Sequence, residues 1–448
     1  MKRLLLPLLL CCASAGRARA AEPDQRVLTL DEALRLARAN HPQLHASRAQ
    51  TEASQAKVAE AKAPLLPQVI GTASYQRSRS NVASGPTSAS TQTSTSTTTS
   101  TAISTQPAPS GFSVPYYRAG ISASELIYDF GQTTGKWNAA KATLQSQEEN
   151  ERNSSVQVVF NLRSAYFTAA AARALLKVAE ETLGNQEAHL RQIQGFVEAG
   201  TRPEIDLAQA RTDRANAKVQ LINAQVAYDT DKALLNQAMG VERGTEFEVT
   251  DPPAEMVPGE DDSTDAILPT ALKARPDLML LARQIEAQEL TTRSIKGSYA
   301  PSLGVNASLS DGGPDFGNLV WNWTAGLFLN WQIFGGGITD AQVREARANT
   351  AVLRAQYDLQ RQQVRADVEQ ARLGVRAAKA AIEATHEAAV NARVRLNLAE
   401  GRYQAGVGNV IELGDSQVAL TAASAQEIQA VFNLATARAR LLQALGQP

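Results

Sequence analysis

Beyond residue 20 the chain has no cysteine; Cys11 and Cys12 are its only two. Disulfides and thiolate chemistry are therefore excluded from everything that follows. Proline is absent from Gln132–Ala199 and from Ile338–Ala405, so nothing in either run forces a helix to stop. Also missing is any later stretch apolar for the roughly 20 residues that a transmembrane helix needs. Neither sign of charge dominates. The formal net charge is −1, and without Lys2, Arg3, Arg17 and Arg19 it becomes −1 − 4 = −5. That balance lacks the basic clustering that nucleic acid requires. No nucleophile–base set and no phosphate-cradling glycine loop is present, so neither an enzyme nor a cofactor is expected. His41 and His45 stand four apart, as a helical metal pair would. Arg275 and Met279 replace them in the second half and no third ligand is near, so no metal site is expected.

The first twenty residues read as a secretory signal. Lys2 and Arg3 precede the apolar run Leu4–Ala13, and Ala18-Arg19-Ala20 has the small-x-small form of a cleavage site. Lipid attachment at Cys12 is disfavoured, because Cys11 stands where a small residue is expected. Export opens the option of membrane-spanning strands, which hydropathy detects poorly.

The chain repeats itself. Residues 119–240 recur 206 positions later at 325–446: Gly200 answers to Gly406, Asp206 to Glu412, Leu235 to Leu441 and Gly240 to Gly446. An earlier stretch recurs with a shift of 234, Pro42 matching Pro276 and Pro67 matching Pro301. The difference of 234 − 206 = 28 residues falls between about Gln76 and Ala119, in the Ser/Thr-rich tract 77–112. With almost no large apolar side chains, that tract reads as a flexible surface loop. The expected organisation is a signal at 1–20, a first repeat at 21–240, an equatorial linker at 241–264 and a second repeat at 265–448.

Each repeat is expected to run helix, strand, loop, strand, very long helix, tight turn, helix. Helices open at Pro42 and Pro276 and stop near Pro64 and Pro301. The pattern then switches to period two. Val69, Gly71, Ala73 and Tyr75 alternate with polar neighbours in the first repeat, although Ile70 breaks the polar side. Ala325, Leu327, Leu329, Trp331 and Ile333 alternate in the second, with Phe328 the exception on the polar side. About ten residues of alternation suits a strand crossing a bilayer. Glu125 counts against this, since it falls on the apolar side opposite Trp331 in the repeat alignment. The proline-free runs predict helices of 68 residues, roughly 100 Å at about 1.5 Å per residue. Val159, Leu162, Tyr166, Ala169 and Leu176 mark a packing seam, and Gly200 and Gly406 supply the left-handed residue that ends each long helix. A short strand is expected at 246–250. Four strands cannot close a barrel, and open edges are not tolerated in lipid. Several chains would have to pool their hairpins, and the long helices would continue from the barrel as a tube.

The residues that follow each Ala-Gly turn, Glu204-Ile205-Asp206-Leu207 and Val410-Ile411-Glu412-Leu413-Gly414-Asp415, resemble those of the TolC family of outer-membrane efflux channels. So do the Pro-x-Leu helix starts and the Ile-Tyr-Asp-Phe-Gly and Ile-Phe-Gly-Gly-Gly strand exits. The likeness spans nearly the whole chain after residue 20. It implies a mixed α/β membrane fold: a homotrimeric channel-tunnel with a shared twelve-stranded outer-membrane barrel and a periplasmic α-barrel. Its implied partners are a periplasmic adaptor, an inner-membrane transporter and outer-membrane lipid. It implies passive efflux, or type I secretion. A periplasmic coiled-coil scaffold is the rival reading. By the same likeness Asp206, Glu412 and Asp415 line a pore constriction, Ile411 adds an apolar collar, and Arg202 and Tyr403 hold the closed mouth. The competing reading of Glu204, Asp206 and Glu412 is that acids favour helix N-termini.

Overall fold

The computed structural model describes residues 26–79, 113–242, 244–251 and 256–447. The expected signal segment, Cys12 and all of the Ser/Thr tract beyond Arg79 lie outside those residues. The elements in order are β1 (Arg26–Leu28), α1 (Leu30–Asn40), α2 (Pro42–Lys62), β2 (Gln68–Arg79), β3 (Ser113–Tyr128), α3 (Gln132–Glu198), α4 (Glu204–Met239), β4 (Phe247–Val249), α5 (Thr264–Ala274), α6 (Pro276–Gly297), β5 (Ser302–Gly313), β6 (Val320–Asn330), α7 (Ile338–Gln404) and α8 (Val410–Ala444). α3 and α7 each hold 67 residues and start 206 apart, whereas α2 and α6, like β2 and β5, start 234 apart. No helix among the described residues is long and apolar enough to cross a membrane.

Two compact units emerge, and neither is contiguous in sequence. Each draws on both repeats: one takes Ala46–Ser154 and Pro269–Ala366, the other the chain up to His45, Ser155–Leu268 and the chain from Asp367.

The first unit carries an antiparallel sheet of order β2-β3-β5-β6. Its register sorts the side chains cleanly. Val69, Ala123, Ala307 and Ala325 share a row on one face, as do Ile121, Leu309 and Trp323, and Val305 and Leu327. The opposite face carries Thr72, Ser122, Ser308 and Thr324, and the Ser308 and Thr324 hydroxyls lie 2.8 Å apart. Phe328, the exception in the alternation, stands opposite Gly304 and packs into the space that a Cβ there would fill. Aromatic side chains gather at both ends of the sheet. Tyr75, Tyr117 and Phe316 stack at one end, with ring centroids 4.9 and 4.3 Å apart; Tyr128 and Phe130 meet at 4.8 Å at the other. The apolar face is bare, with Val69, Trp321 and Leu327 each about 70 % exposed.

Two strand expectations need adjustment. β2 runs on to Arg79, into the stretch expected as loop. β6 ends at Asn330, so Trp331 and Ile333 leave the alternation, and the Trp331 indole donates to the Tyr299 carbonyl at 3.1 Å. Glu125 does lie on the apolar face, as the repeat alignment places it, and pairs with Val305. A β-bulge follows: Ile127 is the extra residue between the Leu126/Gly304 and Tyr128/Leu303 pairs.

In the second unit the expected seam of α3 is the core. Val159, Leu162, Tyr166 and Ala169 are buried and Leu176 is half-buried; Leu162, Tyr166 and Ala169 pack with Leu235, Met239 and Phe432. Each fully buried aliphatic side chain there contributes roughly 1.5–3 kcal/mol. The expected linker strand is β4, and it pairs in parallel with β1, a strand that the periodicity does not reveal. The Tyr166 hydroxyl lies 2.8 Å from the Thr250 carbonyl and 3.1 Å from that of Leu28, pinning this ribbon to α3. The linker is fixed again at Glu260, whose carboxylate takes a bidentate grip from Arg438 at 2.8 and 2.9 Å and a third contact from Lys379 at 2.8 Å.

Candidate functional site

Within the second unit the two helix-to-helix turns come together. Gly200 and Gly406 adopt φ of +69° and +77°, the left-handed region that ends each long helix. The Val407 and Gly408 amides then both donate to the Arg402 carbonyl, at 3.1 and 2.9 Å. Gly408 has no room for a side chain, since a Cβ would sit 2.7 Å from the Tyr403 nitrogen. Asn409 caps α8 by accepting from the Ile411 amide at 3.1 Å. Beneath the turns Ile193, Ala210, Ala399, Tyr403 and Leu413 form a small closed core.

Arg202 joins the two turns. Its guanidinium donates to the Tyr403 carbonyl at 3.0 Å and lies 4.4 Å from the centroid of the Tyr403 ring. The Tyr403 hydroxyl is buried without a hydrogen-bond partner of good geometry. Burial raises its pKa first, the nearby Asp206 carboxylate adds to the rise, and Arg202 opposes it. Asp206 is itself only 7 % exposed. It is therefore enclosed by this chain next to Tyr403, unlike the other acids at the turns. Ile411 is 62 % exposed and Asp415 is also exposed, whereas Glu412 is half-buried and paired with Arg402 at 2.9 Å. Glu204 is exposed in the first turn of α4.

Three groups here escape sequence reasoning. His189 meets the Tyr403 ring edge-on at 5.7 Å. Burial lowers its pKa, against the pull of Asp213 and a hydrogen bond that the ring donates to Gln192. Burial raises the pKa of Asp213, against a 2.9 Å hydrogen bond from Gln209 and the charge of His189. Arg402 neutralises part of Glu412. Nothing in the repeat marks them, because His189, Asp213 and Arg402 answer to Arg395, Ala419 and Phe196. The two other histidines considered as ligands are occupied elsewhere. The His41 Nδ1 accepts from the Gln43 amide at 3.2 Å, and the His45 Nε2 lies 3.0 Å from the Ala39 carbonyl.

The family model described as "Outer membrane efflux protein" matches residues 33–241 and 267–447. The chain belongs to that family. An outer membrane efflux protein is a transport conduit, not an enzyme, and this one resides in the outer membrane and reaches into the periplasm. Among curated relatives, outer membrane efflux protein BepC of Brucella suis biovar 1 is 25 % identical over 423 residues, covering 94 % of this chain and 85 % of BepC. The toluene efflux pump outer membrane protein TtgC of Pseudomonas putida is 25 % identical over 348 residues, covering 76 % of this chain and 71 % of TtgC. The CmeC outer membrane channel of Campylobacter jejuni superposes with a TM-score of 0.78 at 17 % identity, over 93 % of this chain and 85 % of CmeC. The fold of this outer membrane efflux protein is thus that of TolC-like channels.

Proposed function

We propose that this outer membrane efflux protein works as a homotrimer in which three four-stranded sheets close one twelve-stranded barrel, continued into the periplasm by an α-barrel. The observation that carries this reading is the sheet itself. β2 and β6 are its open edges, its apolar face is bare, and aromatic side chains fringe both ends. Open strand edges are not tolerated in lipid, and a lone apolar sheet face is not tolerated in water. Closure with two further copies removes both problems. The helices support the same reading. Val352, Leu359, Leu373 and Val394 fall at multiples of seven along α7 and stay about half exposed or more in the single chain, as a seam awaiting a neighbouring helix would. The recurrence of elements at constant offsets fits an internal duplication, which gives each chain two of the six hairpins.

The duct would receive substrate from a periplasmic adaptor and an inner-membrane transporter and pass it out without an energy source of its own. At its mouth the exposed Ile411 and Asp415, with Glu412, line the constriction. Asp206 anchors the closed form from within, alongside Tyr403 and Arg202. The test is threefold: detergent-extracted protein should run as a trimer after cross-linking, resist extraction by high salt, and open discrete channels in a planar bilayer. A monomer released by salt alone refutes the barrel.

A further inference from the structure

We infer that a basic groove between α6 and α7 is a binding site for the phosphate headgroup of an anionic phospholipid in the periplasm-facing leaflet. This inference rests on the barrel reading above. The groove has a volume of about 660 Å³ and is lined by Arg293, Lys296, Arg347 and Arg354, against Glu289 and Asp358. Glu289 is taken up by Arg354 at 2.7 Å. The three other cations are exposed. The net charge of the lining is 4 − 2 = +2.

The groove lies at the level where headgroups sit. Lys296 is six residues before β5 begins at Ser302, and Arg347 is nine residues after α7 begins at Ile338. Nine residues of helix are about 13 Å. Side chains lean toward a helix's N-terminus, so Arg347 leans toward the sheet, while Arg293 and Lys296, on α6 running into the sheet, lean back toward the groove's far end. The headgroup layer on each side of a bilayer is roughly 5–8 Å deep. Trp331, tied to the Tyr299 carbonyl, marks the aromatic fringe just above.

It also lies on the lipid side. α6 has two grooves on opposite flanks. The other has no net charge: Lys136 and Glu345 offset each other among Thr291, Ile295, Ser298 and Gln342. Chirality decides which flank continues which face of the sheet. The Leu309 carbonyl oxygen lies 3.0 Å from where a Gly120 Cβ would be. Gly120 and Ser310 are therefore a non-hydrogen-bonded pair, with the Ser310 Hα directed at β3. For an L-residue in a strand running away from the helices, this places Ser310 and the polar face clockwise of β3, viewed from the helical end. α6 runs in the same direction and is right-handed. Ser294 marks its contact with α3, where it packs on Gly135 and donates to the Gln132 carbonyl. Turning clockwise from Ser294 brings Ser298, Thr291 and Ile295. The neutral groove thus continues the polar face, and the basic groove continues the apolar one.

The first repeat carries the same cations. Lys62 and Lys141 occupy the positions that answer to Lys296 and Arg347, and their ammonium groups lie 5.7 and 3.4 Å from the Trp137 ring centroid. A pair of cations at one depth therefore recurs in both halves. In the first it is filled by tryptophan, a residue favoured at membrane interfaces; in the second it is left open and reinforced by Arg293 and Arg354.

The experiment measures lipid retention on the full-length protein in detergent, doped with phosphatidylglycerol or phosphatidylcholine, by native mass spectrometry and thermal midpoint. Wild type should retain phosphatidylglycerol preferentially and be stabilised by it. Arg293→Gln/Lys296→Gln/Arg347→Gln should lose about fivefold in that preference per cation removed, while Arg211→Gln on α4 changes nothing. An unchanged preference in the triple variant overturns the site, provided the variant still forms wild-type channels. Equal protection by inorganic phosphate without lipid overturns the lipid assignment. Release of wild type from membranes by salt alone defeats the barrel reading and this site together. Membrane retention without phosphatidylglycerol preference defeats this site alone.

Discussion

Glu260→Gln tests how the linker is held, and its magnitude can be worked from two directions. The Glu260 side chain is 3 % exposed and that of Arg438, its main partner, 14 %. Removing one member of a buried, hydrogen-bonded pair costs about 3–5 kcal/mol, because the other charge stays buried without compensation. Linkage gives a second figure. Burial alone would raise the Glu260 pKa, but hydrogen bonds from Arg438, Lys379 and the Val257 amide outweigh it and lower the pKa from 4.5 to about 2. At about 1.4 kcal/mol per unit this amounts to roughly 3 kcal/mol. The folded-state pKa is the lower one, so the stabilisation is complete above pH 4.5 and is lost as pH falls from there through about 2. Glutamine keeps the shape and removes the charge. The assay is amide hydrogen exchange across residues 256–262, which reports local opening even when global unfolding is irreversible. At pH 7 the variant's linker amides should exchange about a hundredfold faster, with α3 core amides around Leu162 unchanged. Near pH 3 the difference should shrink to about tenfold. Exchange within about threefold of wild type at pH 7 would show that the ion cluster adds nothing to linker docking. A difference that persists undiminished at pH 3 would show that its origin is not the carboxylate charge.

Three further outcomes follow from the geometry. Gly240→Ala combines a φ of +69° with a Cβ that would lie 2.6 Å from the His41 Cα, so it should cost roughly 2–5 kcal/mol; Gly406→Ala has open space and should cost only about 1–2 kcal/mol, both read by thermal unfolding. Leu327→Arg on the bare apolar face should lower trimer yield, at about 2–4 kcal/mol per chain near mid-bilayer, whereas Thr324→Arg on the polar face should assemble normally. In planar bilayers Asp415→Ala should blunt block by Mg²⁺; Arg202→Ala should raise conductance while Tyr403→Phe, which keeps the ring and loses only an unpartnered hydroxyl, should leave it unchanged.

The elements were readable where one period dominates. Two proline-free runs gave α3 and α7 to within a residue, because over so long a span only a helix satisfies every backbone group internally. The alternation from Val69 to Tyr75 and from Ala325 to Leu329 gave the sheet and its faces. What escaped was set by non-local pairing. β1 is three residues long, too short to show a period, and exists because β4 offers it a parallel edge and Tyr166 seals both. The bulge at Ile127 leaves no mark in the repeat, since it shows only when β3 meets β5. The compact units escaped for a related reason: adjacency in space joins segments from both repeats, and an alignment of the repeats cannot show that.

The mouth shows where reading by type of residue stops. Asp206, Glu412 and Asp415 look alike in sequence: three carboxylates at the start of two corresponding helices. Their surroundings separate them. Asp206 is enclosed beside a buried tyrosine hydroxyl, Glu412 leans on Arg402, and Asp415 meets solvent. A carboxylate's influence on a passing ion falls with distance and with every counter-charge near it, so Asp415 should dominate cation affinity and Glu412 should matter less. Asp206, buried beside Tyr403, should affect the turn more than the passing ion. The repeat made the first and second turns look equivalent, yet the first encloses Asp206 and leaves Glu204 in solvent, whereas the second leaves Asp415 in solvent. If Asp206→Asn altered cation block as strongly as Asp415→Ala while leaving channel opening untouched, this division of labour would be wrong.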